Sequence, residues 1–176
     1  MGRMPRDETW AALESASVRL ARVMNEQDVA NLFWGYATLG RLPGDETWAA
    51  LEAAAGRVAR DMNEQGLANT LWGYATLSTL RVVELPSCYA AVWELVCRLE
   101  ARDFIAEQLR MLFHAHLMHN YSDASRSMNV SYPAWLMKEA CDSWMRDVRD
   151  DDTTSRSHRE LASVFDEFRL ASVYAQ

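Results

Sequence analysis

The sequence predicts an all-α protein, a right-handed α-solenoid of 38-residue helical-hairpin repeats with extra helices at the carboxyl end. Three observations carry this. A block of residues recurs almost verbatim after 38 positions, its apolar residues fall at the 3.6-residue period of an amphipathic helix, and a worn third copy follows in register. The array covers residues 5–121, as units 5–42, 43–80 and a degenerate 81–121, and carboxyl-terminal helices follow over 132–176.

The first two units are near-copies. Residues 7–40 and 45–78 share 24 identities in 34 positions, among them Asp7 through Glu14 with Asp45 through Glu52, and Met24 through Gln27 with Met62 through Gln65. Pro5 and Pro43 also fall in register. In the third unit only the apolar frame survives: Leu13 and Leu51 lead to Tyr89, Leu20 and Val58 to Val96, Val29 and Leu67 to Ile105, and Ala30 and Ala68 to Ala106.

Each unit reads as two helices. In the first, Trp10, Leu13, Ser17, Leu20 and Met24 form one stripe, apolar apart from Ser17. Asn25 then caps the second helix through its side-chain oxygen, and Glu26, Gln27 and Asp28 place negative charge near the positive helix end. That helix carries Val29, Leu32, Phe33, Tyr36 and Leu39 and stops at Gly40, with Pro43-Gly44 marking the turn into the next unit. One hairpin cannot bury both of its apolar faces, so units stack and share a core.

Beyond the array, a polar connection runs from Ser122 to Ser131, and Tyr132-Pro133 opens a helix to about Arg149 with Trp135, Leu136, Ala140 and Trp144 on its apolar side. Asp150 through Ser155 reads as a solvated linker. Thr154 or Ser155 is placed to cap a last helix through Leu170.

Composition narrows the functional classes. With 49% hydrophobic residues the chain can bury a core, yet no apolar run approaches the roughly 20 residues of a membrane span. The amino terminus lacks the apolar centre of a secretory signal and shows no organelle presequence. Cys88, Cys97 and Cys141 are an odd set without CxxC spacing, read as small buried residues. A net charge of −7 works against general affinity for polyanions, so any nucleic-acid role must come from local basic positions.

The segment Asn25-Glu26-Gln27-Asp28-Val29-Ala30-Asn31, continuing to Trp34 and Ala37, resembles the octotricopeptide repeat proteins of algal organelles, whose repeats have a similar N-x-Q-D-x-A-N-x-x-W-x-x-A core. The wider set with this signature includes FAST-kinase-like proteins carrying a RAP domain and the helical subunit of the kinetoplastid RNA-editing substrate-binding complex. Ser155 through Leu161, within the segment 155–170, also resembles the stretch that precedes a RAP domain, although the RAP domain itself is absent. The resemblance implies single-stranded RNA binding in a mitochondrion or plastid, in transcript processing, stability or translation, with protein partners of an RNA-processing complex. A fragment of a longer repeat protein is the matching expectation for a chain that shows neither a presequence nor that domain.

Two polar sets repeat with the array. Arg19 and Arg22 recur as Arg57 and Arg60, pointing away from the Trp10-Leu13 face, and stacked units would make them a ladder of forked phosphate donors. A solvated outer face explains them equally simply. Asn31, Gly35 and Thr38 form a stripe repeated at Asn69, Gly73 and Thr76. Asn presents donor and acceptor on one amide, the chemistry for reading a base edge, so Asn31 and Asn69 are the candidate base contacts. The competing account is close approach of a neighbouring helix at the glycines. Trp10, Trp34, Trp48 and Trp72 are read as core rather than as stacking platforms.

Catalytic and metal chemistry find no support. His114 and His116 diverge on a helix, and no Cys or carboxylate stands at a supporting spacing for His116 and His119. There is no Gly-rich phosphate loop and no nucleophile elbow. The expectation is a binding protein without catalytic residues, metal, cofactor, membrane span or small-molecule substrate. A protein-interaction scaffold is the alternative from another class.

Overall fold

The computed structural model describes residues 6–80, 87–121 and 129–150. The expected linker after Asp150, the helix through Leu170 and the segment 155–170 lie outside these residues, as does most of the 122–131 connection. Among the described residues every regular element is helical. α1 (Asp7–Leu20) and α2 (Glu26–Leu39) form the first hairpin, α3 (Asp45–Val58) and α4 (Glu64–Leu80) the second, α5 (Ser87–Val96) and α6 (Ala106–Tyr121) the third, and α7 (Cys141–Asp150) follows.

Local chemistry sets the helix ends. The Asn25 side chain accepts from the Asp28 amide at 2.8 Å, and the Asp28 carboxylate accepts from the Asn25 amide at 3.1 Å, so two otherwise unpaired donors are satisfied reciprocally. Asn63 repeats half of this, accepting from the Gly66 amide at 2.9 Å. α2 ends where Gly40 turns left-handed at φ 61°, letting the Arg41 amide reach back to the Tyr36 carbonyl at 3.2 Å. The second unit has Ser78 at that position, and α4 runs on to Leu80.

The third unit departs from the expected register. The capping Asn is replaced by Ala101, which offers no acceptor, and α6 begins only at Ala106, with Gln108 accepting from the Ile105 amide at 3.0 Å. Ile105, aligned with buried Val29 and Leu67, is therefore 63% exposed, and Phe104 enters the core instead. The expected helix after Pro133 runs from Leu136 to Asp150, but its first turn is π-helical. A π-helical turn, Leu136–Ala140, precedes α7 and seats Leu136 and Ala140 in the core, while the Trp135 indole donates to the Leu99 carbonyl at 2.9 Å.

The second helices of the hairpins stand side by side, α2 along α4 and α4 along α6, while α1 lies more loosely on α3. Aromatic rings bridge one hairpin to the next. Phe33 meets Tyr74 at 4.1 Å between centroids, Trp48 sets its edge against both, and the series continues through Tyr74–Tyr89, Tyr89–Trp93 and Trp93–Tyr132. α2 and α4 approach so closely that a Cβ on Gly73 would lie 2.8 Å from Phe33 Cβ.

Leu13, Leu20 and Cys97 are among the expected core positions that are not buried. Leu13 and Leu20 lie in the apolar stripe of α1 but are 50% and 47% exposed, because nothing among the described residues covers that side of α1. Cys97 is also exposed, just past the end of α5, with its thiol donating to the Ser131 carbonyl at 3.4 Å. Among the described residues no helix is long and apolar enough to cross a membrane.

Candidate functional site

The periodicity that repeats the Asn-capped joint also brings its copies together. The first turns of α2 and α4 stand next to each other and enclose a groove of about 150 Å³ lined by Gln27, Asn31, Asn63, Gln65, Asn69 and Glu26. Five of these six side chains end in a neutral carboxamide, each with a donor and an acceptor on one plane. The candidate base contacts of successive units thus line one groove at the junction, where the sequence alone placed one on each unit.

Asn69 is the innermost of these groups. It is 8% exposed and lines the groove. Burying an unpaired amide is unfavourable by about 1–3 kcal/mol, and the Asn69 amide is not among the buried side-chain groups left without a partner. Asn31, on the opposite wall, is exposed.

Both walls rise from helix amino termini, whose amides carry partial positive charge. On α2 the Asp28 carboxylate, held in the capping box, offsets that charge. On α4 the same position is Gly66, where a Cβ would press on Met62 Cβ at 3.3 Å, and no carboxylate stands there. With Glu26 on the rim, the groove disfavours a full anion and suits a planar neutral group with both donors and acceptors. Its volume falls below the roughly 300–1,000 Å³ of pockets that enclose a drug-sized ligand, so it fits a ring rather than a whole metabolite.

Of the four tryptophans read as core, Trp34 is the one that departs. Trp10 is buried against Tyr36, and Trp48 is packed among Phe33 and Tyr74. Trp34, in contrast, is 46% exposed, and Trp72 is half-buried with its indole donating to His114 Nδ1 at 2.8 Å. The reason is helical geometry. Asn31, Trp34 and Thr38 fall at i, i+3 and i+7 and share the exposed side of α2, while Val29, Phe33 and Tyr36 turn inward. The same spacing sets Trp72 one turn beyond Asn69. Periodicity alone misassigned Trp34, because an apolar ring in an apolar helix fits either face, whereas Trp72 packs against the core as expected.

The arginines divide into different settings. Arg22 and Arg57 line a groove of about 530 Å³ between α1 and α3 whose walls are largely alanine. Arg57 also donates through Nη2 to the carbonyls of Ala21 at 3.0 Å and Met24 at 2.8 Å, closing the turn that leads to Asn25. Arg19 lies instead in a groove with Glu14, Asp45 and Glu46, where acidic neighbours counter its charge. Arg60 is exposed in the 3₁₀ turn after α3. The structure therefore joins Arg22 with Arg57 and Asn31 with Asn69, and it does not line up all four guanidinium groups.

His114 stands apart from His116 and His119, which both lie against Tyr132. His114 accepts from Trp72, His116 lies against Phe113 and Tyr132, and His119 stacks on Tyr89 with rings nearly parallel at 5.6 Å. No three His, Cys, Asp or Glu among the described residues converge on a point that could hold a metal ion. No family model, no curated protein and no solved structure matches this chain.

Proposed function

We propose that the chain is a single-stranded RNA-binding module, a right-handed α-solenoid whose inner row is α2, α4 and α6. A nucleobase sits in the carboxamide groove between Asn31 and Asn69, with Trp34 and Trp72 as stacking surfaces beside it. The observation that carries this is the run of five carboxamide side chains lining one groove between α2 and α4, with the largely buried Asn69 innermost. An Asn amide can pair with both the donor and the acceptor on an adenine edge, and aromatic stacking accepts any base. Arg22, Arg57 and Arg60 sit near the hairpin joints and supply phosphate contacts, with Arg19 contributing least because of its acidic neighbours.

The reading assigns binding and no catalysis. The resemblance of the repeat core to organellar RNA-binding repeats supports a role in RNA processing, stability or translation within a mitochondrion or plastid. The −7 net charge favours the second reading, a scaffold for a basic protein partner.

Fluorescence anisotropy with labelled single-stranded RNA at low salt separates the two. Asn69→Leu and Trp34→Ala should each weaken binding by roughly 5- to 100-fold, in line with about 1–3 kcal/mol for a base contact. Arg22→Ala should lower the salt slope by about one unit. No binding by the parent chain, or equal binding by Asn69→Leu, sinks the RNA reading.

A further inference from the structure

The two near-identical hairpins form an internal control for what a bare repeat face looks like. In the second hairpin the face turned toward the first is filled: Leu51 and Leu77 are wholly buried, Val58 is 4% exposed, and Gly73 lies under Phe33. The matching face of the first hairpin is open. Leu13, Leu39 and Leu20 are 50%, 41% and 47% exposed, and a Cβ on Gly35 would meet nothing within 4 Å. Five of the eight exposed large hydrophobic residues among the described residues, the three leucines with Val23 and Trp34, belong to this one hairpin. Thr9, Leu13, Asn31, Gly35 and Leu39 are identical to their partners in the second hairpin, so the open face keeps the residues of a helix-packing surface.

We propose that this face docks one more helical hairpin of the same 38-residue class, seated on α1–α2 as α1–α2 are seated on α3–α4. The interface inside the chain defines the occupant. What fills the Gly73 notch is the Phe33 side of the preceding hairpin, so the Gly35 notch takes a residue placed as Phe33 is. An intact second copy does not offer that surface, because its own Phe33 is wholly buried under the second hairpin. Docking also brings a polar residue of the incoming hairpin opposite Asn31, as Asn31 stands opposite Asn69.

The test is a tandem duplication of residues 7–44 placed ahead of Asp7 in the full chain. Its junction, Gly44 followed by Asp7-Glu8-Thr9-Trp10, reproduces the natural junction at Gly44-Asp45-Glu46-Thr47-Trp48. The duplicated chain should unfold in one transition with its midpoint raised by about 5 °C or more. Gly35→Ala in the original hairpin should raise the midpoint of the parent chain and lower that of the duplicated chain, because the added methyl now meets a seated helix. An added unit that melts separately, or a Gly35→Ala effect of the same sign in both chains, overturns the proposal. So does a dimer of the parent chain in sedimentation that Leu13→Asp and Leu39→Asp dissociate, since the face would then belong to a second copy.

Discussion

The sharpest contrast between identical residues lies at Gly35 and Gly73. Both occupy the middle of a second helix, where Gly is less favourable than Ala by about 1 kcal/mol. At Gly73 a methyl would meet Phe33 Cβ at 2.8 Å and the Phe33 carbonyl carbon and oxygen at 2.9 Å. Two of those atoms are backbone and cannot turn aside, so Gly73→Ala forces α2 and α4 apart. Overpacking of this kind costs about 1–3 kcal/mol, and after the helix-propensity gain the net loss should be about 1–2 kcal/mol. Gly35→Ala meets open space and should stabilise by about 0.5–1 kcal/mol. Urea titrations of the two variants should therefore move the midpoint in opposite directions. Shifts of the same sign would mean that the glycines are not distinguished by the helix approach.

At the scale of the element, the joints between helices hold the most chemistry. Arg57 on α3 donates to the Ala21 and Met24 carbonyls, tying the second hairpin to the turn that ends in the cap of α2. Arg57→Ala should cost about 1–2 kcal/mol, the lower part of the range for charged hydrogen bonds because the side chain is exposed, whereas Arg19→Ala should stay within about 0.5 kcal/mol. Equal effects in thermal melts would make the Arg57 contacts irrelevant to stability. This contact also marks the limit of what the sequence discloses. The Asn25 cap and the Gly40 stop were legible because their hydrogen bonds close within three to five residues. The delayed start of α6 is visible in retrospect at Ala101. Arg57 bonds a carbonyl 33 residues away, and Trp34 faces outward because of how whole hairpins stack, and neither follows from local pattern. The meeting of Asn31 with Asn69 in one groove has the same origin: the period places both at equivalent positions, but only the side-by-side packing of α2 and α4 makes those positions adjacent.

Across the whole molecule, stability depends on the end opposite the open face, where the 129–150 segment is fastened to α6. His116 is central there. Its ring lies 6.1 Å from Phe113 and 4.4 Å, edge to face, from Tyr132, and Asn120 Nδ2 stands 3.1 Å from His116 Nδ1. Burial, and then the neighbouring His119, hold the His116 pKa down at about 4. The unfolded chain returns this imidazole to about 6.5. Between these values the unfolded state binds the extra proton, so stability is fully present above about pH 6.5, falls as the pH drops toward 4, and levels off below. A gap of that width corresponds to about 3 kcal/mol as a ceiling. Carboxylates titrate near the lower limit of the same window, so the informative measurement is a difference: urea midpoints of the parent and His116→Gln, followed by circular dichroism at pH 7.5, 5.5 and 4.5. The variant keeps a polar side chain beside Tyr132 and Asn120 but cannot take up a proton, and its midpoint should fall less than the parent's between pH 7.5 and 4.5. Parallel pH profiles for the two chains would show that the loss of stability comes from other groups and that the packing of the 129–150 segment on α6 does not rest on a neutral imidazole.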